Sequence, residues 1–141
     1  MSDGAGNTGG SVIDSGVANG TFQAKVKTGE NPSAVYLVFR YKDDGDFIAA
    51  GVYTGDDKCW LVKEVAGTPT TINTAAVTGG IAASTWYTIT IVASDTSIIV
   101  SVDGTQYLSE TVAEHTAETM VGFMEAAGNQ TAYMDDLSVT P

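Results

Sequence analysis

Carboxylates dominate the side chains that could do chemistry. Seventeen Asp and Glu stand against six Lys and Arg, one His and one Cys in 141 residues, for a net charge of -11. Close-spaced pairs include Asp44 with Asp46, and Asp56 with Asp57. A glycoside hydrolase needs two carboxyl groups fixed on one face, one as acid and one as base or nucleophile. Asp43-Asp44-Gly45-Asp46 reads instead as a turn, where solvated carboxylates have nothing to tune them for acid/base work at neutral pH. Asp56-Asp57, after Gly55, is the same case. A thiol nucleophile would need Cys59 beside His115. Cys59 opens an apolar strand next to Trp60, the setting of a buried and inert thiol. His115 lies in a polar loop and suits an exposed or bracing role. No Ser stands in Gly-x-Ser-x-Gly, and no glycine loop that could cradle phosphate precedes a helix. Catalysis is not expected.

The elements that must position these residues are extended. Apolar residues recur at period two along most of the chain. Phe22, Ala24 and Val26 alternate with Gln23, Lys25 and Lys27, which predicts a half-buried strand with a wet outer face. Residues 34–41 form a denser run, apolar on both sides, as a central strand would be. Further strands are predicted over 47–53, 59–66, 70–75, 86–93 and 97–103, parted by turns rich in Gly, Asp and Pro. Asp103-Gly104 is a hairpin signal with its return over 106–111. Strands over 120–126 and 131–139, joined at Gly128-Asn129, close the chain. Residues 109–119 carry Glu at every fourth position but no apolar stripe, so a loop or one helical turn is expected. About ten short strands without helices must pack sheet on sheet. The expected fold is all-β, an antiparallel two-sheet β-sandwich. It forms a single domain over residues 11–141 behind a flexible lead-in over residues 1–10.

Composition narrows the functions. With 43% hydrophobic residues the chain is no disordered acidic tail. No run of about 18 apolar residues exists to cross a membrane. One Cys permits no intrachain disulfide, and one His excludes a multi-histidine metal site. Six scattered basic residues on so acidic a chain make nucleic acid an unsuitable partner. The first residues lack the basic and apolar regions of a secretory signal. Asn19-Gly20-Thr21 and Asn129-Gln130-Thr131 match the glycosylation triplet, a pattern that also arises by chance.

Three ordered segments resemble the concanavalin A-like lectin/glucanase superfamily, nearest its laminin-G-like jelly-roll branch. They are Tyr36-Leu37-Val38-Phe39-Arg40-Tyr41 with the following Asp-rich turn; Thr85-Trp86-Tyr87-Thr88-Ile89 with Ile99-Val100-Ser101-Val102-Asp103-Gly104; and His115, Val121-Gly122-Phe123 and Met134-Asp135-Asp136-Leu137-Ser138-Val139. The likeness implies a jelly roll of two antiparallel sheets, one concave. The Glu-x-Asp-x-x-Glu strand motif of the family's glucanases is absent. Asp135-Asp136-Leu137 resembles the last-strand motif where calcium-dependent relatives place a ligand. Alternation there turns one Asp inward, and an inward aspartate must be paired, hydrogen-bonded or metal-bound. Asp136, with Asp14 or a nearby carbonyl, is thus the candidate position for a structural Ca2+; bonds to backbone amides are the other reading.

A sugar site on such a sandwich combines an aromatic platform with polar groups that reach hydroxyls. Arg40 is the sole arginine, and by alternation it shares a face with Tyr36 and Val38. The resemblance implies a sugar contact for it; the other reading is an ion pair with Glu64, Asp46 or Glu125. Tyr53 and Trp60, at the ends of neighbouring strands, form a candidate stacking wall, with the core as the alternative for Trp60. Trp86 is assigned to the core. The expected function is a non-catalytic surface module for glycan binding or adhesion, located extracellularly. The alternative is a virion structural protein, such as a phage capsid decoration or tail-associated subunit, whose partners would be a capsid lattice or copies of itself.

Overall fold

A computed structural model describes residues 9–126 and 131–141. Eleven strands form two antiparallel sheets, and there is no helix among the described residues. The strands are β1 (Gly9–Asp14), β2 (Gly20–Thr28), β3 (Ala34–Asp43), β4 (Asp46–Tyr53), β5 (Lys58–Val65), β6 (Thr68–Ala76), β7 (Tyr87–Ser94), β8 (Ser97–Val102), β9 (Thr105–Thr111), β10 (Met120–Ala126) and β11 (Ala132–Thr140). One sheet has six strands in the order β1-β10-β3-β4-β5-β6; the other has five, β11-β2-β7-β8-β9. This is the two-sheet sandwich expected from the period-two pattern.

Alternation builds the core. Phe22, Ala24 and Val26 of β2, Ile89 and Ile91 of β7, and Ile98 and Val100 of β8 point inward from the five-stranded sheet. They meet Val35, Leu37, Phe39, Ile48, Ala50, Val52 and Leu61 from the six-stranded sheet. Phe22 and Phe39 touch across the layers with ring centroids 5.7 Å apart. Burying each large aliphatic or aromatic side chain stabilises the fold by ~1.5–3 kcal/mol relative to exposure. The Asp103-Gly104 hairpin forms as predicted, with φ of 49° and 82° at its two central residues, the signature of a primed turn.

One detail departs from the sequence reading. β1 starts at Gly9, paired with Glu125 of β10, so the ordered domain takes in the end of the expected 1–10 lead-in. The rest of that lead-in and the Gly128-Asn129 link, with Gln130 of the second triplet, lie outside the described residues. The 109–119 segment is the end of β9 followed by turns.

Register shifts interrupt five of the strand pairings, and those in β3 and β11 make the period-two count fail at a candidate residue. In β3 the pairing with β4 shifts between Phe39 and Asp43, and Arg40 has φ of 50°. In β11 the pairing with β2 shifts between Asp135 and Ser138, and Asp136 has φ of 52°. An inserted residue re-aims the side chains around it, and both bulges fall on residues expected to form sites.

Candidate functional site

The six-stranded sheet is apolar on both faces at its centre, although a two-layer sandwich needs only one such face. Its outer face carries a second apolar cluster of Ala34, Tyr36, Val38, Phe47, Ala49 and Met124, bordered by Tyr41, Tyr53, Trp60, Val62 and Ala126. A groove of about 500 Å³ runs over this face. Strand register explains its shape. Tyr36 of β3, Gly51 of β4 and Trp60 of β5 lie directly side by side, with Met124 of β10 beyond Tyr36. Gly51 therefore leaves a gap in the floor between two aromatic walls, about two strand spacings or ~10 Å apart at the backbone. Ala34 and Ala49 keep the floor low beside it. A Cβ at Gly51 would come within 2.0 Å of the Val35 carbonyl oxygen, so glycine is required there.

Trp60 and Tyr53 form one wall, their rings edge-to-face at 83° with centroids 6.2 Å apart. The Trp60 Nε1–H donates to both carboxylate oxygens of Asp56, each at 3.2 Å, which fixes the plane of the indole. The Asp56 turn is itself held, because Asp56 Oδ1 accepts the Lys58 amide at 3.2 Å. Polar groups gather at the other end, where Lys63, buried Glu64, Thr70 and Thr71 line the groove beside Pro69. The Lys63 ammonium pairs with Glu114, which holds that carboxyl below the usual carboxylate range. His115 braces the same end, its Nε2 3.2 Å from the Glu64 carbonyl oxygen and 3.7 Å from Asp46 Oδ1. Among the described residues, Glu64 is the only carboxylate lining this groove, and no carboxylate pair lines it there.

Of the residues singled out from sequence, Tyr53 and Trp60 come together here. Arg40 does not. The bulge turns it away from Tyr36 and Val38 and buries it completely. Its Nη2 donates to Asn19 Oδ1 at 2.9 Å and to the Asp95 carbonyl at 2.7 Å, and its Nε donates to the Ala18 carbonyl at 3.3 Å. Burial lowers its pKa and nearby Asp95 works against that shift. Arg40 is a structural tie between the sheets, bound to none of the three carboxylates proposed for it from sequence. Asn19, the first glycosylation-triplet asparagine, has its amide oxygen committed to Arg40 and to the Asp95 amide.

The calcium expectation loses its premise as well. The β11 bulge turns Asp136 outward, where it is exposed and pairs with Lys25 at 2.6 Å. Asp14 accepts bonds from the Thr119 hydroxyl at 2.6 Å and the Gly16 amide at 2.9 Å, which lower its pKa. Both carboxylates have protein donors, and no three His, Cys, Asp or Glu gather among the described residues. These residues do not fit a calcium site. Cys59 is fully buried and its thiol is pushed up to about 12 by burial, as an inert thiol should be. His115 contacts Glu64, five residues along β5 and ~17 Å from Cys59. Trp86 is 43% exposed, contrary to its core assignment, because it has the parity of Thr88 and Thr90 on the outer face, while Tyr87, Ile89 and Ile91 point inward. Sequence reasoning missed Gly51 and Met124; the signal was the doubly apolar β3 and β4.

No protein-family model matches the chain, and no curated protein sequence does. Solved structures do. The carbohydrate binding module CBM66 from Bacillus subtilis superposes with a TM-score of 0.75 at 17% identity, covering 92% of this chain and 80% of that one. A tetrameric galectin from the ball sponge Cinachyrella gives 0.70 at 12% identity, over 93% and 99% of the two chains. Galectin-Ib from Xenopus laevis gives 0.71 at 11%, over 94% and 100%. At these identities the likeness shows the fold alone: an antiparallel two-sheet β-sandwich of the jelly-roll kind. It does not single out the laminin-G-like branch.

Proposed function

We propose that the groove on the outer face of the six-stranded sheet binds a neutral glycan, and that the chain is a non-catalytic binding or adhesion module acting outside the cell. One observation carries this: an aromatic-walled, small-floored groove on a sheet face that the core does not use. Half-buried Trp60 and Tyr53 supply the ring surface for the C–H side of a sugar, over a floor that includes buried Tyr36. Thr70, Thr71 and Lys63 supply the few polar groups that orient such a ligand. Among the described lining residues the one cation, Lys63, has a carboxylate partner, which favours an uncharged sugar. Structural neighbours named as a carbohydrate binding module and as galectins support the same reading. No feature of the described residues favours the virion-subunit alternative.

The test is a glycan array followed by titration of the best neutral ligand against Trp60→Ala. Loss of one stacking ring costs about 1–3 kcal/mol, a drop of roughly ten- to a hundredfold in affinity. Unchanged binding by a folded Trp60→Ala protein rules out the groove.

A further inference from the structure

The opposite, solvent face of the five-stranded sheet is a field of short polar side chains, among them Gln23, Thr88, Thr90 and Ser101. Two aromatics rise from it. Trp86 is 43% and Tyr133 45% exposed. Between them lies Lys27, its Nζ 4.7 Å from the Trp86 ring centroid and 4.6 Å from that of Tyr133. Register sets the row: Tyr133 on β11 pairs directly with Lys27 on β2, and Trp86 precedes Tyr87, the partner of Val26.

The charge balance of this row is unusual for the chain. Lys25, Lys58 and Lys63 each pair with a carboxylate, Arg40 is buried, and exposed Lys42, which like Lys27 has no ion pair among the described residues, has no aromatic ring against its ammonium there. Lys27 has no carboxylate in ion-pair distance among the described residues, in a protein with 17 of them. Lys25, two residues away on the same face, is neutralised by Asp136. Lys27 thus keeps its charge for an anion while two rings hold the ammonium in place.

We propose that Trp86, Lys27 and Tyr133 form a second binding site, separate from the groove, for a sugar residue bearing a carboxylate. Lys27 meets the carboxylate in a charge-assisted hydrogen bond. The exposed rings on either side take the C–H face of the sugar and present their positive edges to the anion. The acidic remainder of the molecule repels anions at long range. At physiological salt that repulsion is screened beyond about 8 Å, whereas direct contact with the ammonium is not.

The chain's two tryptophans make the test specific, because each lies in a different site. Indole N–H resonances of the intact protein are followed while D-glucuronate, D-glucose or acetate is added at equal, millimolar concentration. Glucuronate should shift the Trp86 signal saturably and leave that of Trp60 in place; glucose and acetate should bind Trp86 at least about tenfold more weakly. Lys27→Met should abolish the shift and Lys27→Arg should retain it. Absence of a Trp86 shift, an equal response to acetate or glucose, or full binding by Lys27→Met overturns the proposal. None of these outcomes bears on the groove, which Trp60 reports separately.

Discussion

Replacing Arg40 by Met tests whether this residue holds the sandwich together or touches ligand. The side chain is fully buried and donates three hydrogen bonds, to Ala18, Asn19 and Asp95. Bonds from a charged donor contribute about 1.5–3 kcal/mol each when fully buried. Ala18 is only half-buried and Asp95 exposed, so water can replace part of what the carbonyls lose. Asn19 Oδ1 also keeps its bond from the Asp95 amide at 2.9 Å. Removing a buried ion for an apolar side chain of similar reach returns ~1–4 kcal/mol of desolvation. The balance leaves a destabilisation of about 2–4 kcal/mol. For 141 residues the unfolding entropy is ~0.3 kcal/mol/K, so Tm should fall by roughly 7–13 °C. Arg40→Lys should fall between, since one ammonium cannot fork to three acceptors. Calorimetry reads the stability, and titration with the groove's ligand well below Tm reads the binding. Met at this position should leave affinity unchanged. A protein with wild-type Tm and lost glycan binding would refute the structural role and restore the site expected from alternation.

Gly51→Ala should destabilise by more than about 3 kcal/mol in denaturant unfolding, because its Cβ meets backbone on β3, whereas Gly67→Ala, open around its Cβ but at φ 76°, should cost only ~1 kcal/mol. Stability should hold from neutral pH down to about 5 and fall below ~4. The folded-state pKa values of Asp14, Asp44 and Glu114 are depressed by Thr119, Tyr41 and Lys63, so their contribution exists above the unfolded carboxylate range and is lost as pH falls through the folded values. On the alkaline side, burial pushes Tyr41 and Cys59 up to about 12, so the unfolded chain ionises first and thermal scans should show stability declining between about pH 9 and 12. EDTA should leave Tm unchanged, since Asp14 and Asp136 have protein donors; a drop of several degrees would put a cation back.

Fold class was legible because it rests on side-chain periodicity, which alternation in β2, β7 and β8 records directly. The doubly apolar run at residues 34–41 correctly marked a central strand, and it also contained the groove. Tyr53 and Trp60 were found because their strands are regular. Arg40 and Asp136 were misplaced for one shared reason: each lies at a β-bulge, where a single extra residue reverses inside and outside. Nothing in Phe39-Arg40-Tyr41 or Asp135-Asp136-Leu137 announces a bulge, since neither contains the glycine that would make a positive φ easy. Trp86 failed differently. Alternation in β7 turns Tyr87, Ile89 and Ile91 inward, so Trp86 shares the outer face with Thr88 and Thr90, and its size alone was a poor guide to burial.

An open apolar groove on a water-exposed face invites self-association, and the charge distribution answers that risk. Exposed apolar patches are tolerated when small and rimmed by polar groups. Here the walls are aromatic, yet one end is closed by the Lys63–Glu114 pair and the other by Asp56 beneath Trp60. A net charge of -11 makes two copies repel before their grooves meet, while a neutral sugar feels no such field. The same charge would hinder any ligand that brought an anion into the groove, where Glu64 already stands buried. Lys27, with its two rings, sits on the far sheet and away from that carboxylate. Under the two proposals together, opposite faces of one sandwich would sort ligands by charge without any moving part, the aromatic groove taking neutral rings and the lysine row acidic ones.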